Sequence, residues 1–163
     1  MKPFIVGLAS ILLSVFILVF NQDYRTNSHY FKELKYVAEE ASVSASLFID
    51  TNEYSAGRIV FNQAEGNKVI KAQIIEFLRL DDGMNPKSNS YWTDTVTYKA
   101  YYFDDSNTLY PYLFKDDNTL FTQVITEPTI VVTINAGKGR YRIPLFKNTG
   151  DFIRSSAHEL KER

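Results

Sequence analysis

The chain is expected to be α+β, with an N-terminal transmembrane helix followed by a helix packed on a small antiparallel sheet. Three observations lead there. An uncharged apolar run opens the chain, and a helix-periodic stretch follows it. In the second half, apolar residues alternate at the period of two that strands require. At 163 residues there is room for one domain plus an anchor. The expected organisation is a transmembrane anchor over residues 1–22, an extracytoplasmic α+β domain over 23–148 and a polar C-terminal tail over 149–163.

The run from Pro3 to Phe20 carries no charge, and Lys2 is the one charged side chain before it. At about 1.5 Å per residue it reaches roughly 27 Å, close to the ~30 Å hydrocarbon core of a bilayer. It ends "FILVFNQDY", with no small-x-small cleavage site, so an uncleaved signal-anchor is expected rather than a removed signal peptide. Lys2 and the amino terminus favour the cytoplasmic side, which places the rest of the chain outside. Gly7, Ser10 and Ser14 follow at steps of three and four and share one face. Small residues there would let another helix approach closely in the membrane.

The stretch "YFKELKYVAEEASVSASLFID" supplies the next helix. Phe31, Leu34, Ala38, Ala41, Ala45 and Phe48 lie on one stripe, large at both ends and thin in the middle. Such a stripe fits a closely approaching sheet or helix. Val37 and Leu47 widen it, while Lys32, Lys35, Glu39 and Glu40 lie mostly off it. The linker "NQDYRTNSH" is rich in weak helix formers, so anchor and helix are either one rod or joined by a bend.

"GRIVFN" is a short strand candidate, and Asn62 with Glu65 has the spacing of a capping box. The helix so started should run to about Leu80, burying Val69, Ile70, Ile74, Phe77 and Leu78 before "DDG" stops it. In "YWTDTVTYKAYYF", Val96, Tyr98, Ala100 and Tyr102 alternate with Thr95, Thr97, Lys99 and Tyr101. "LYPYLF" and "LFTQVIT" around "KDDNT" predict a hairpin. "PTIVVTINA" predicts the most buried strand, and "GKGR" a turn into a strand "YRIPLF", with Pro144 at an edge or end. The polar tail offers Ser156 and Glu159 as the start of a short helix, with disorder the alternative.

The composition excludes much chemistry. A net charge of −1 argues against a nucleic-acid binder. The absence of cysteine removes disulfides and thiol chemistry. His29 and His158 sit in no metal-ligand spacing. The acidic turns "DDGMN", "DDSNT" and "DDNT" lack the spaced oxygens of a calcium loop and fit the backbone preferences of turns. Glu39 and Glu40 fit a solvated helix edge. "GKGRYR" lacks the Gly-Lys-Ser/Thr ending of a phosphate loop; Arg140 and Arg142 fit a charged edge strand, with phosphate contact the alternative. No enzyme, cofactor or metal is expected.

The membrane helix, the pattern "LKYVAEEASVSASLF" and the small α+β domain beyond it resemble the TadE-like minor pilins of tight-adherence and type IV pilus-related systems. The pattern covers roughly residues 3 to 50, and the rest matches as architecture. Type IV prepilins carry a glutamate at the fifth mature position; counted from Gly7, this chain has Leu12 there. The resemblance implies a single-pass, membrane-anchored extracytoplasmic structural or assembly component of a pilus-like or secretion apparatus. Its partners would be the membrane bilayer, the proteins of an envelope assembly and copies of itself. A membrane-anchored ligand-binding sensor or adaptor, presenting its aromatic strands, is the second reading.

Overall fold

The structure is a computed structural model that describes residues 2–117, 119–143 and 150–161. Its spine is α1, Lys2–Ser46, one helix from the apolar run into the domain core. The weak helix formers of "NQDYRTNSH" do not break it. Two of them, Asp23 and Asn27, hold tertiary partners instead, which outweighs their propensity.

Two short-range elements follow. Asp50 caps α2, Thr51–Ser55, by accepting from the amides of Asn52 and Glu53. Asn62 caps α3, Gln63–Phe77, through the Glu65 amide at 3.2 Å. The helix ends short of Leu80: Arg79 takes a positive φ of 55° and turns Leu80 into the core. Of the residues expected inside, Ile70, Ile74 and Leu78 are buried and Val69 is half-buried. Phe77 is exposed: it lies at the rim of the contact with α1, where it meets the exposed Tyr36 edge-on.

The strands are β1 (Thr97–Phe103), β2 (Tyr112–Lys115), β3 (Thr122–Ile125), β4 (Thr129–Asn135) and β5 (Ile153–Glu159). β4 is central in the order β1-β4-β5, with both neighbours antiparallel, and β2 and β3 form a separate hairpin. Ile130, Val132 and Ile134 of β4 join the residues of α1 and α3 in one cluster. Val131 points the other way, into a second cluster with Phe114 and Ile125 of the hairpin. The sheet therefore has helices on one face and a hairpin on the other. β1 divides likewise: Tyr98, Ala100 and Tyr102 pack with the helices, Tyr101 and Phe103 with the hairpin. A strand covered on both faces needs a nearly continuous apolar run, which "TIVVTIN" supplies.

Three expectations need correction. "GRIVFN" is no strand; Phe61 forms one isolated bridge with Ile49. Carboxylates serve that segment instead: Asp105 accepts from the Ile59 amide at 2.7 Å and Asp104 from the Phe61 amide at 3.2 Å. Tyr141–Ile143 lie in no strand, and the remainder of "YRIPLF", Pro144 included, falls outside the described residues. The described part of the tail, residues 150–161, holds no helix and is mostly strand. Its segment Ile153–Glu159 is β5, because β4 has amides and carbonyls on that edge that burial obliges to pair. Polar residues suffice there: the Ser155 and Thr133 hydroxyls lie 2.8 Å apart, and Thr133 donates to the buried Asp116 at 2.7 Å.

Candidate functional site

The first part of α1 stands clear of the two core clusters among the described residues. Its apolar side chains, from Phe4 through Leu18, are exposed, as a lipid-facing helix requires. At Gly7 a Cβ would meet nothing within 4 Å. The hydroxyl of Ser10 donates to the Val6 carbonyl at 2.9 Å, and that of Ser14 to the Ser10 carbonyl at 2.8 Å. Both hydroxyls are thus satisfied inside the helix, which removes their cost in hydrocarbon. Gly7, Ser10 and Ser14 form a small, open face.

The other half of α1 carries the alanine stripe. Leu34, Val37, Ala38, Ala41 and Ala45 are completely buried among α3, β4 and β5, and Phe31 and Phe48 are half-buried at its ends. Phe31 sits edge-on to Phe152 beneath the guanidinium of Arg154, 3.3 Å from its ring centroid. Leu47 lies outside this contact and is exposed, since the helix ends at Ser46.

Sequence reasoning missed the junction between the two halves. Asp23, only three residues past Phe20, is buried. Its Oδ2 accepts from the backbone amides of Arg142 at 2.9 Å and Ile143 at 2.8 Å. Arg142 Nη1 donates to Gln22 Oε1 at 2.7 Å, and Asn27 Nδ2 to the Tyr141 hydroxyl at 3.3 Å. A segment more than a hundred residues away in the chain is thus latched to the helix where it leaves the span. Asp23 among Gln22, Tyr24 and Arg25 reads as a solvated flank, and no local signal separates it from one.

Above the latch is an aromatic cluster. Tyr30 stacks on Tyr91 at 3.9 Å between centroids, with Trp92 and Phe152 edge-on around them. Of the "GKGR" glycines, Gly139 belongs to this packing, since a Cβ there would lie 2.4 Å from the Tyr91 ring; Gly137, with a φ of +63°, lies against Asp94 instead. Burial raises the Tyr91 phenol well above its ordinary range, with Tyr141 adding to the effect. Burial also pushes Tyr102, whose hydroxyl meets Asn67 Oδ1 at 3.1 Å, up to about 12.

The acidic turns are occupied by the protein's own donors. Asp104 also takes the Ser106 hydroxyl at 2.6 Å, and Asp81 takes the Asn85 amide at 2.8 Å, which holds its carboxyl below the usual range. His29 lies 3.8 Å from Glu33, and His158 sits in β5 opposite Ile130. Among the described residues no three His, Cys, Asp or Glu side chains gather to hold a metal. On the outer face of the hairpin, Leu113 and Val124 lie directly opposite each other, and both are exposed. No protein-family model, no curated protein and no solved structure matches this chain.

Proposed function

We propose that this is a single-pass, membrane-anchored structural or assembly component of a pilus-like or secretion apparatus, with its domain on the extracytoplasmic side and no enzymatic activity. One observation carries the reading: a single helix is apolar and exposed over its first part and the buried spine of the domain over its second. A contact made within the bilayer would then set the position of the outer domain without a flexible joint. Gly7, Ser10 and Ser14 offer the close-approach face for such a contact, with another envelope protein or a second copy as the partner.

The test replaces Gly7, Ser10 and Ser14 together by leucine, which keeps the span apolar. Crosslinking in membranes is expected to lose its partner bands, while protease accessibility and domain stability stay as in wild type. Undiminished crosslinking would remove the membrane face from the proposal. Protease added to intact cells should digest the domain; a fully protected domain would reverse the proposed orientation.

The sensor reading draws on a cleft of about 640 Å³ lined by Lys35, Phe121, Arg154 and Ser155 among others. Native mass spectrometry separates the two. A monomer retaining a small acidic ligand favours the sensor, and higher-order species favour assembly.

A further inference from the structure

We infer that Arg25, Arg140 and Arg142 form a basic collar that binds anionic lipid headgroups of the leaflet on the domain's side. The inference rests on Pro3–Phe20 crossing the bilayer, and not on the assembly reading. Because α1 is unbroken, height above the membrane follows from residue number at about 1.5 Å each. Asp23 lies roughly 4.5 Å beyond Phe20, inside a headgroup layer some 5–8 Å deep. Asn27 lies about 10 Å beyond it, and Phe31 about 16 Å.

The segment 137–142 descends along this scale. Gly137 accepts from the Phe152 amide, and the Phe152 ring packs on Phe31, so the segment begins high. Tyr141 meets Asn27 lower down, and the Arg142 amide meets Asp23 at the bottom. Arg142 therefore stands in the headgroup layer, and Arg140 two residues above it, within side-chain reach. Both side chains are exposed, and so is Arg25, two residues past Asp23 on α1. Tyr24, also exposed, has the amphipathic ring that favours this depth.

Of the negative groups nearby, Asp23 is buried and turned to two amides, and Asp94 accepts from the amide of Lys138, the outermost basic residue of the segment. Asp151, exposed in the cleft with Asn27 and Tyr141, accepts from the Asn135 side chain at 3.4 Å. Glu33 faces His29 more than one helical turn above Arg25. Three guanidiniums within about one Debye length (~8 Å) of a lipid surface select negative lipid. Guanidinium suits the phosphate of a headgroup through paired donors. This accounts for the arginines of "GKGRYR", which the edge-strand reading left without a strand to protect.

The experiment uses the full chain in phosphatidylcholine vesicles, with spin-labelled phosphatidylglycerol or phosphatidylcholine as probe. The motionally restricted fraction of each label reports the lipid held at the protein. Phosphatidylglycerol should be preferred several-fold, with the preference collapsing in high salt. Replacing Arg25, Arg140 and Arg142 by glutamine should reduce it at least about 5-fold, the factor expected for losing roughly one surface charge's interaction. Lys2→Gln, on the opposite leaflet, should leave most of it. Arg140→Gln alone, whose described contact is made by the backbone, guards against a triple variant that fails to fold and should still lower the preference. Selectivity unchanged in Arg140→Gln and in a folded triple variant, or selectivity lost with Lys2→Gln alone, would overturn the inference.

Discussion

The two halves of α1 are one helix with opposite surfaces. From Phe4 to Leu18 the apolar side chains are mostly large and are exposed; from Leu34 to Ala45 the core-facing ones are mostly small and completely buried. Backbone hydrogen bonding is the same in both, so helix formation does not explain the difference. The partner does. Lipid accepts any apolar bulk and adapts to it, whereas a sheet at fixed distance accepts only what fits between two rigid backbones. The same substitution should therefore have different consequences in the two halves, and that contrast can be broken at several points.

The largest effect is expected from truncation. Leu34→Ala should destabilise the domain by about 2–5 kcal/mol in thermal or denaturant melts, through lost burial and the cavity left behind. Leu13→Ala, in the lipid-facing half, should leave the domain melt unchanged. Equal effects would mean that the span is part of the domain's cooperative unit.

Overpacking tests the stripe from the other direction. Ala41→Leu should cost about 1–3 kcal/mol, because the added atoms meet α3 and the sheet. Ala9→Leu, on an exposed part of the span, is the matched control and should cost nothing measurable in the same melt.

The junction should respond by a similar or smaller amount. Asp23→Ala leaves two backbone amides without their acceptor, at about 1–3 kcal/mol. Hydrogen exchange at Arg142 and Ile143 should accelerate while the amides of β4 stay protected. Asp23→Asn keeps an acceptor oxygen and should restore most of the protection. Slow exchange at both amides in Asp23→Ala would mean that the latch does not depend on the carboxylate.

The smallest effect is expected from pH and is confined to the domain half. Tyr102 and Tyr91 have folded-state pKa values raised above those of the unfolded chain, so the unfolded state loses its protons first. Their contribution is complete below about pH 10 and declines above it, that of Tyr102 being lost as pH rises to about 12. The melting temperature should fall along this alkaline limb, and Tyr102→Phe should make the fall shallower. A limb identical in Tyr102→Phe and wild type would place the alkaline sensitivity elsewhere.

Much of the fold was legible because the relevant signals are local. The span follows from an uncharged run of sufficient length, and α3 from its Asn62 cap and apolar period. The hairpin follows from two apolar stretches around "KDDNT", and β4 from an apolar run flanked by turn residues. The readings that failed lacked a local signal. "IRSSAHE" has no hydrophobic alternation, and it becomes β5 only because β4 presents an edge that must be paired. "RIVF" has the composition of a strand, but carboxylates some forty residues away satisfy two of its amides first.

The same division holds for the candidate surfaces. By itself the sequence determined that an apolar helix long enough to cross a membrane precedes an α+β domain, and that a small-residue face lies on that helix. Periodicity and length are properties of the chain alone. Tertiary structure decided that the apolar run and the domain share one unbroken helix, that Asp23 is a buried latch, and that the segment carrying Arg140 and Arg142 is held against that helix just past its apolar run. Those outcomes join residues more than a hundred positions apart, and the free energy that decides them comes from satisfying buried amides and packing rings across that separation.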